Sequence, residues 1–258
     1  MDSLKLPSFL RAGDLMRVVI LCGGKGTRLR EHTESIPKPL VEIGDRPILW
    51  HIMRIYAHYG FNDFVLCLGY KGELIKEYFL NRRPKGQSGP ENFHERWNVT
   101  CADTGEDTNT GGRIKRIADL IQDSPFMVTY GDGVADLDVL KLLNYHRSHG
   151  KIGTVTCVRP ILQFGILNLD GDQQVLGFQE KPLYDQWVNG GFFVFEREML
   201  ALLQDNESLE ESFLKKLAQD GQLMAYRHDS FWKCMDTYKD TVSLNELWAG
   251  KRAPWKIW

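Results

Sequence analysis

Val18-Val19-Ile20-Leu21-Cys22-Gly23-Gly24-Lys25-Gly26-Thr27-Arg28-Leu29 is the stretch that decides the fold. Its first five residues are apolar and mostly branched, with no polar alternation, which predicts a strand buried on both faces. Gly23 and Gly24 stop that strand. Glycines at 23, 24 and 26 let backbone N–H groups approach a phosphate closely. The loop is not a Walker A motif, because no Gly-Lys-Ser/Thr stands at the required spacing. Nor is it the dinucleotide fingerprint, because Leu29 stands where the third Gly or Ala belongs. A tight turn with solvated charges is the plainer alternative for this segment alone. Against it, Lys25, Thr27 and Arg28 make the loop rich in donors at the carboxyl end of a strand, where open α/β sheets bind ligands.

Outward from that strand, strand and helix patterns alternate, which predicts an α/β fold with a Rossmann-like, mostly parallel central sheet flanked by helices. Pro47 suits a helix start, and Ile48, Ile52, Ile55 and Tyr56 share one face as far as Gly60. Phe64–Leu68 reads as the next strand and residues 72–80 as a helix. Arg82–Arg96, with two prolines and two glycines, reads as a loop, and Trp97–Ala102 as a strand. Ile114, Ile117, Leu120 and Ile121 form a helix stripe after Thr110-Gly111-Gly112. Phe126–Tyr130 is a strand ending at Gly131-Asp132-Gly133, and Leu137–Tyr145 is helical. Several short strands follow over 153–195, then two helices, a strand near Leu223–Tyr226 and a last helix over 240–248. No repeat or linker divides the chain, so residues 16–258 are expected to form a single domain. Residues 1–15 are expected to be an N-terminal extension, since Met16, immediately before the first strand, stands in the place of an alternative start.

Composition narrows the class. Of 258 residues, 43% are hydrophobic and 26% charged, with a net charge of -2, so no basic excess points to nucleic acid or a membrane surface. Such a chain buries roughly 70–75% of its unfolded surface and needs no staple. Five scattered cysteines (22, 67, 101, 157, 234) with no CxxC pair point to reduced thiols in a cytoplasm, and away from zinc or a secreted framework. No apolar run approaches the ~20 residues of a membrane span. Pro7, Arg11, Gly13 and Asp14 interrupt any signal peptide.

Ten residues beyond Arg28, Pro37-Lys38-Pro39-Leu40 sets one lysine between two prolines. Their rings restrict the backbone on both sides and limit where the ammonium points, which suits an immobile phosphate; a surface turn is the plain alternative. Asp132, flanked by Gly131 and Gly133, is uncrowded and suits Mg²⁺, which takes one or two carboxylates plus substrate phosphates; a turn Asp is the alternative. Asp236 is the candidate second carboxylate. Asp136-Leu137-Asp138 matches the DxD pattern of metal-dependent glycosyltransferases, but both aspartates stand at a helix start, where they cap N–H groups. Glu180-Lys181-Pro182 and Asn189-Gly190-Gly191 are weak signals singly. His146 and His149, with no third ligand nearby, read as surface residues. Trp255 and Trp258 fall in the last four residues. Two exposed indoles form an apolar patch, so a neighbouring subunit is expected to cover them, with packing on their own subunit as the alternative.

In this order, the residues resemble the sugar-nucleotide pyrophosphorylases, a family of nucleotidyltransferases. Its leading motif, Gly-Gly-x-Gly-Thr-Arg-Leu, stands at residues 23–29, followed by Pro-Lys-Pro, a Gly-Asp after a central strand, Glu-Lys-Pro and a late Asp. The resemblance spans residues 16–258. It is strongest to the members that transfer a cytidylyl group to glucose 1-phosphate, in Pro47–Met53, Gly69–Gly72, Trp97–Thr100, Thr129–Asp138 and Ala253–Lys256.

The resemblance implies a nucleotidyltransferase fold of the GT-A-like type and the reaction CTP + α-D-glucose 1-phosphate → CDP-glucose + pyrophosphate, with Mg²⁺. The product would feed bacterial surface polysaccharide. By the same resemblance, Leu21, Cys22, Gly23, Gly24, Lys25, Gly26, Thr27 and Arg28 would cradle the nucleotide. Thr110, Gly111, Arg113 and Gly131 would lie beside it, and Lys38 would touch its phosphates. Asp132 and Asp236 would hold the metal. Lys181 would grip the sugar phosphate, with Glu180, Asn189 and Gly190 near the hexose. Arg28, Lys38, Asp132 and Lys181 would carry the chemistry. A homo-oligomer is expected. A thymidylyl- or uridylyltransferase is the nearest alternative, and a DxD glycosyltransferase a more distant one.

Overall fold

The computed structural model describes residues 16–26, 35–81, 97–122 and 124–258; the expected extension 1–15, Thr27, Arg28 and the loop Arg82–Arg96 lie outside the described residues. Strand β1 (Arg17–Leu21) is followed by a hairpin of β2 (Glu42–Ile43) and β3 (Arg46–Pro47). Next come helix α1 (Ile48–His58), β4 (Asp63–Leu68), α2 (Gly72–Asn81), β5 (Asn98–Asp103) and α3 (Thr110–Arg116). They are followed by β6 (Phe126–Tyr130), β7 (Gly133–Ala135), α4 (Val139–His149) and β8 (Gly153–Val158). β9 (Ile166–Leu169) and β10 (Val175–Gln179) form a ribbon ahead of β11 (Val188–Phe195). The chain then runs through α5 (Met199–Leu202), α6 (Leu214–Gln219), β12 (Leu223–Arg227), β13 (Trp232–Cys234) and α7 (Tyr238–Ala249).

Seven strands form one sheet in the order β12-β8-β11-β6-β1-β4-β5. β1 pairs in parallel with β4 and β6, β4 with β5, and β8 with β12, while β11 is antiparallel to both β6 and β8. The sheet is therefore mostly parallel, as the alternation of elements predicts. Val18, Ile20 and Cys22 pack into one core with α1 and α4; Val19 and Leu21 pack into a second, with Ile114, Ile117 and Phe193. Both faces of β1 are covered, which is why its sequence does not alternate. Among the described residues no helix is long and apolar enough to cross a membrane, and all five cysteines are free.

Several elements differ from the sequence reading. Gly111 and Gly112 lie inside α3 rather than before it. A Cβ at Gly112 would stand 2.6 Å from Asn206 Cα, and one at Gly111 2.8 Å from the Glu207 carbonyl, so the glycines serve close packing. α3 stops at Arg116 and a 3₁₀ turn, Ala118–Leu120, follows, which leaves Leu120 exposed while Ile121 is buried. The region after Phe195 holds a π-helical turn, Leu209–Phe213, between α5 and α6. β13 has too few residues to leave a pattern. His146 is buried, not on the surface: its Nδ1 lies 2.8 Å from Thr154 Oγ1 and its Nε2 3.2 Å from Glu196 Oε1, because α4 packs that face onto β8 and β11. His149 bonds the same Thr154 hydroxyl at 2.7 Å.

The tail also differs. Trp255 is 0% exposed within its own chain, stacked on Phe231 and Trp248, with Nε1 donating to His51 Nδ1 at 3.3 Å. Trp258 packs edge-on against Trp50, with Arg54 over its ring. The slot between α1 and α7 covers Trp255 within its own chain and leaves Trp258 half-buried.

Candidate active site

A cavity of about 660 Å³ opens at the carboxyl ends of β1 and β6, a size and place usual for a ligand in an open α/β sheet. Leu21–Gly24 and Gly131–Gly133 form its floor, Lys38 and Asp236 one side, Thr110 and Arg113 another, and Asn189, Gly190 and Glu210 a third.

The glycine loop is held by a buried arginine. Arg113 donates from Nη2 to the carbonyls of Gly23 (3.0 Å) and Glu106 (3.1 Å). Its Nη1 donates to the Leu68 and Gly105 carbonyls and to Thr104 Oγ1. Burial pulls its pKa below that of a free guanidinium. A Cβ on Gly23 would lie 2.1 Å from Arg113 Cζ, so glycine stands here to admit the guanidinium. Lys25 is outside the cavity lining and bonds Asp107 Oδ1 at 2.9 Å, with Glu106 at 3.6 Å. Gly26 lines the cavity with φ of +61°, a conformation suited to glycine. Gly131 donates its N–H to the Leu21 carbonyl at 3.2 Å and joins the two floor segments.

The acidic pair is assembled by a small ribbon. β13 pairs with β7 so that Cys234 opposes Gly133, and Met235 N–H donates to the Asp132 carbonyl at 2.8 Å. Asp132 and Asp236 are thereby brought side by side. Lys38, in the short turn Lys38–Leu40, donates to Asp132 Oδ2 at 2.7 Å and to Asp236 Oδ1 at 2.6 Å. Burial opposes the Lys38 charge, but the carboxylates outweigh it and hold the ammonium pKa above its usual value. The ligand atoms of Asp132, Cys234 and Asp236 lie within 4.8 Å of one another. Burial, with Asp132 nearby, pushes the Cys234 thiol pKa up, so it stays a neutral thiol. Hard divalent cations prefer oxygen. The two carboxylates fit such an ion and the thiol does not.

On the third side, Asn189 donates from Nδ2 to Tyr130 Oη at 3.1 Å and accepts from Gly191 N–H at 2.8 Å. Gly191 has φ of +79°, and a Cβ there would meet Tyr130 Cδ2 at 2.5 Å. Gly190 accepts from Trp232 Nε1 at 2.7 Å. Tyr130 Oη donates to Glu210 Oε1, and Thr110 Oγ1 donates to Glu210 Oε2 at 2.6 Å. Burial and the Glu210 carboxylate push the Tyr130 pKa up, so the phenol remains a donor.

The structure therefore gathers Leu21, Cys22, Gly23, Gly24, Gly26, Lys38, Thr110, Arg113, Gly131, Asp132, Asn189, Gly190 and Asp236 around one cavity. It does not bring in Gly111, which packs on Glu207, or Glu180 and Lys181, which are exposed and pair with each other at 3.4 Å. Tyr130 and Glu210 were not singled out by the sequence. Ser208-x-x-Glu211, a helix-start pattern, was the only signal nearby, and Ser208 Oγ does accept from Glu211 N–H. Asp138 caps α4 as expected, accepting from Lys141 N–H at 3.0 Å. Asp136 does not cap; it accepts from Ser230 Oγ and lies 3.1 Å from His228 Nε2. Neither aspartate lines the cavity.

Comparison with known proteins agrees with this geometry. Glucose-1-phosphate cytidylyltransferase of Salmonella typhi is 47% identical over 257 residues, covering 94% of this chain and 100% of that protein. A probable glucose-1-phosphate cytidylyltransferase of Bacillus subtilis is 45% identical, with 94% and 100% covered. HddC from Yersinia pseudotuberculosis superposes with a TM-score of 0.70 at 26% identity, over 90% of this chain and 99% of that one. The profile of the family described as nucleotidyl transferase matches residues 17–252, from β1 through the acidic pair to the end of α7. The chain belongs to the nucleotidyl transferase family.

Proposed function

We propose that this chain, with residues 16–258 as one catalytic unit, is a glucose-1-phosphate cytidylyltransferase that forms CDP-glucose and pyrophosphate from CTP and α-D-glucose 1-phosphate. The observation that carries it is identity of 47% along the full length of a curated enzyme of that activity. The meeting of Lys38, Asp132 and Asp236 in one cavity supports it. A phosphate oxygen of the sugar attacks the α-phosphorus in line; the bond to the bridging oxygen breaks and its electron pair leaves on pyrophosphate. Both reactants are anions, so charge neutralisation and alignment dominate. Asp132 and Asp236 would hold a divalent ion, Mg²⁺ in this reading, which supplies charge neutralisation at the phosphates. The loop over Leu21–Gly26 seats the nucleotide, with Arg28 and Lys38 on its phosphates. Arg113 holds that loop in shape. Asn189 and Gly190 face the hexose. Glu180 and Lys181 lie just beyond β10 and outside the cavity lining, so their share in binding the sugar phosphate needs the ribbon to close toward the cavity.

In the same reading the enzyme is a cytoplasmic homo-oligomer. Phe164, Leu176 and Phe178, on or beside the β9–β10 ribbon, are 80%, 66% and 63% exposed, an apolar surface of the kind subunits cover. The deciding experiment is turnover with glucose 1-phosphate across CTP, UTP, dTTP, GTP and ATP. CTP should give the highest kcat/KM with one pyrophosphate per sugar nucleotide. Preference for dTTP or UTP would move the chain to that activity, and release of a nucleoside diphosphate would make it a glycosyltransferase.

A further inference from the structure

Lys38 Nζ sits between the two carboxylates given to the divalent ion, 2.7 Å from one and 2.6 Å from the other. A magnesium-sized ion takes its oxygens at about 2.0–2.1 Å, so an ion bound to Asp132 Oδ2 and Asp236 Oδ1 would stand where the ammonium stands. They also repel, and the Lys38 side chain is only 9% exposed, where water screens little. Pro37 and Pro39 hold the backbone on either side, so exchange falls to the four-carbon side chain. That chain borders the same cavity as the glycine loop.

We propose that Lys38 and the divalent ion are alternative occupants of the Asp132–Asp236 pair, and that the nucleoside triphosphate drives the exchange by giving the displaced ammonium a new anionic partner. This rests on the assignment of Asp132 and Asp236 as the metal ligands. Without a triphosphate, a metal ion that evicts Lys38 leaves a buried ammonium unpaired, which is unfavourable. With one, the ammonium moves onto phosphate oxygens while the metal takes the carboxylates. Metal and nucleotide then each tighten the other, since such coupling is reciprocal. A permanent structural lysine–aspartate pair makes the opposite forecast, because removing it leaves the carboxylates disordered and metal binding no tighter.

The test is Mn²⁺ binding to the full chain without nucleotide, read by the electron paramagnetic resonance signal of free Mn²⁺. Wild type, Lys38→Met, Lys38→Gln, Asp132→Asn and Lys38→Met/Asp132→Asn are compared, and thermal unfolding shows that each is folded. Wild type should bind weakly, and Lys38→Met and Lys38→Gln at least tenfold more tightly. The double variant should lose that gain. A non-hydrolysable CTP analogue should tighten Mn²⁺ on wild type more than on Lys38→Met. Equal Mn²⁺ affinity in wild type and both Lys38 variants, with Asp132→Asn still weakening Mn²⁺ in the nucleotide complex, overturns the exchange and leaves the metal site standing. No effect of Asp132→Asn in that complex overturns both.

Discussion

Arg113 reaches across ninety residues of sequence to take the Gly23 carbonyl at 3.0 Å, and does so from a position 4% exposed to solvent. The glycine loop, which seats the nucleotide in the proposed reading, is thus shaped by a side chain behind it. Arg113→Lys loses the forked donor; the Gly23 and Leu68 carbonyls keep the Tyr70 and Thr104 N–H groups, so the loss falls on the part-buried Gly105 and Glu106 carbonyls and on Thr104 Oγ1, at about 1–3 kcal/mol per group left unpaired. Urea unfolding should show a loss of at least about 2 kcal/mol, with kcat/KM for the triphosphate falling too. A variant as stable as wild type would refute the clamp.

Asp132→Asn and Asp236→Asn should each lower turnover by about 100-fold or more while the fold persists, since a metal site supplies several kcal/mol of charge stabilisation. Asp136→Asn should stay near wild type in activity, because Asp136 is engaged by Ser230 and His228 outside the cavity. The reverse ranking in a pyrophosphate-release assay would revive the DxD reading.

Tyr130→Phe cuts the link between Asn189 and Glu210. A misplaced sugar ligand should show as a rise of roughly tenfold in KM for the sugar phosphate, with a smaller change for the triphosphate. Equal changes in both would mean that Tyr130 supports the cavity generally.

His51 gives a pH dependence. Burial drives its pKa down to about 4, and its neutral ring accepts from Trp255 Nε1 and approaches the Ile43 carbonyl. The folded pKa lies below the unfolded value of about 6.5. Its stabilisation is therefore complete above about pH 6.5 and is lost as pH falls toward 4, by up to about 3 kcal/mol. Urea midpoints at pH 7.5 and 5 should differ in wild type, and by less in His51→Gln.

Trp255→Ala should cost about 3–5 kcal/mol, as for a large core side chain, and leave particle mass unchanged in light scattering. Phe178→Asp in the β9–β10 ribbon should do the reverse, giving smaller particles at near-wild-type stability. A smaller particle from Trp255→Ala alone would return the tail to the subunit interface.

What the sequence made legible was what lies close in sequence or carries a strong local constraint. The buried run Val18–Cys22, the glycines after it, the lysine between prolines and the uncrowded Asp132 each announce a backbone demand. Asp236 was readable only as one of a set, since its place beside Asp132 depends on the pairing of β13 with β7. Glu210 left no mark because its partners, Tyr130 and Thr110, are 80 and 100 residues away. Gly111 and Gly112 were misplaced because a glycine wanted for helix packing looks like one wanted for a turn. Trp255 reads as an indole for a neighbouring subunit to cover because a chain end gives no hint of the slot that receives it within its own chain.

β11 is the one strand of the main sheet that runs against its neighbours. Its reversed direction delivers its first residues, Asn189 and Gly190, to the edge where the other strands end. The two halves of the cavity therefore arrive from opposite chain directions, and the β9–β10 ribbon, just ahead of β11 in the chain, stands outside the cavity lining. If the ribbon closes over the sugar as proposed, insertions, deletions and substitutions in it would change which sugar is accepted without disturbing β1, β6 or the loop between Leu21 and Gly26. On the proposed reading, such a scaffold would keep one nucleotide-activating half and exchange acceptors by local edits, so diversification within it should concentrate between residues 159 and 188.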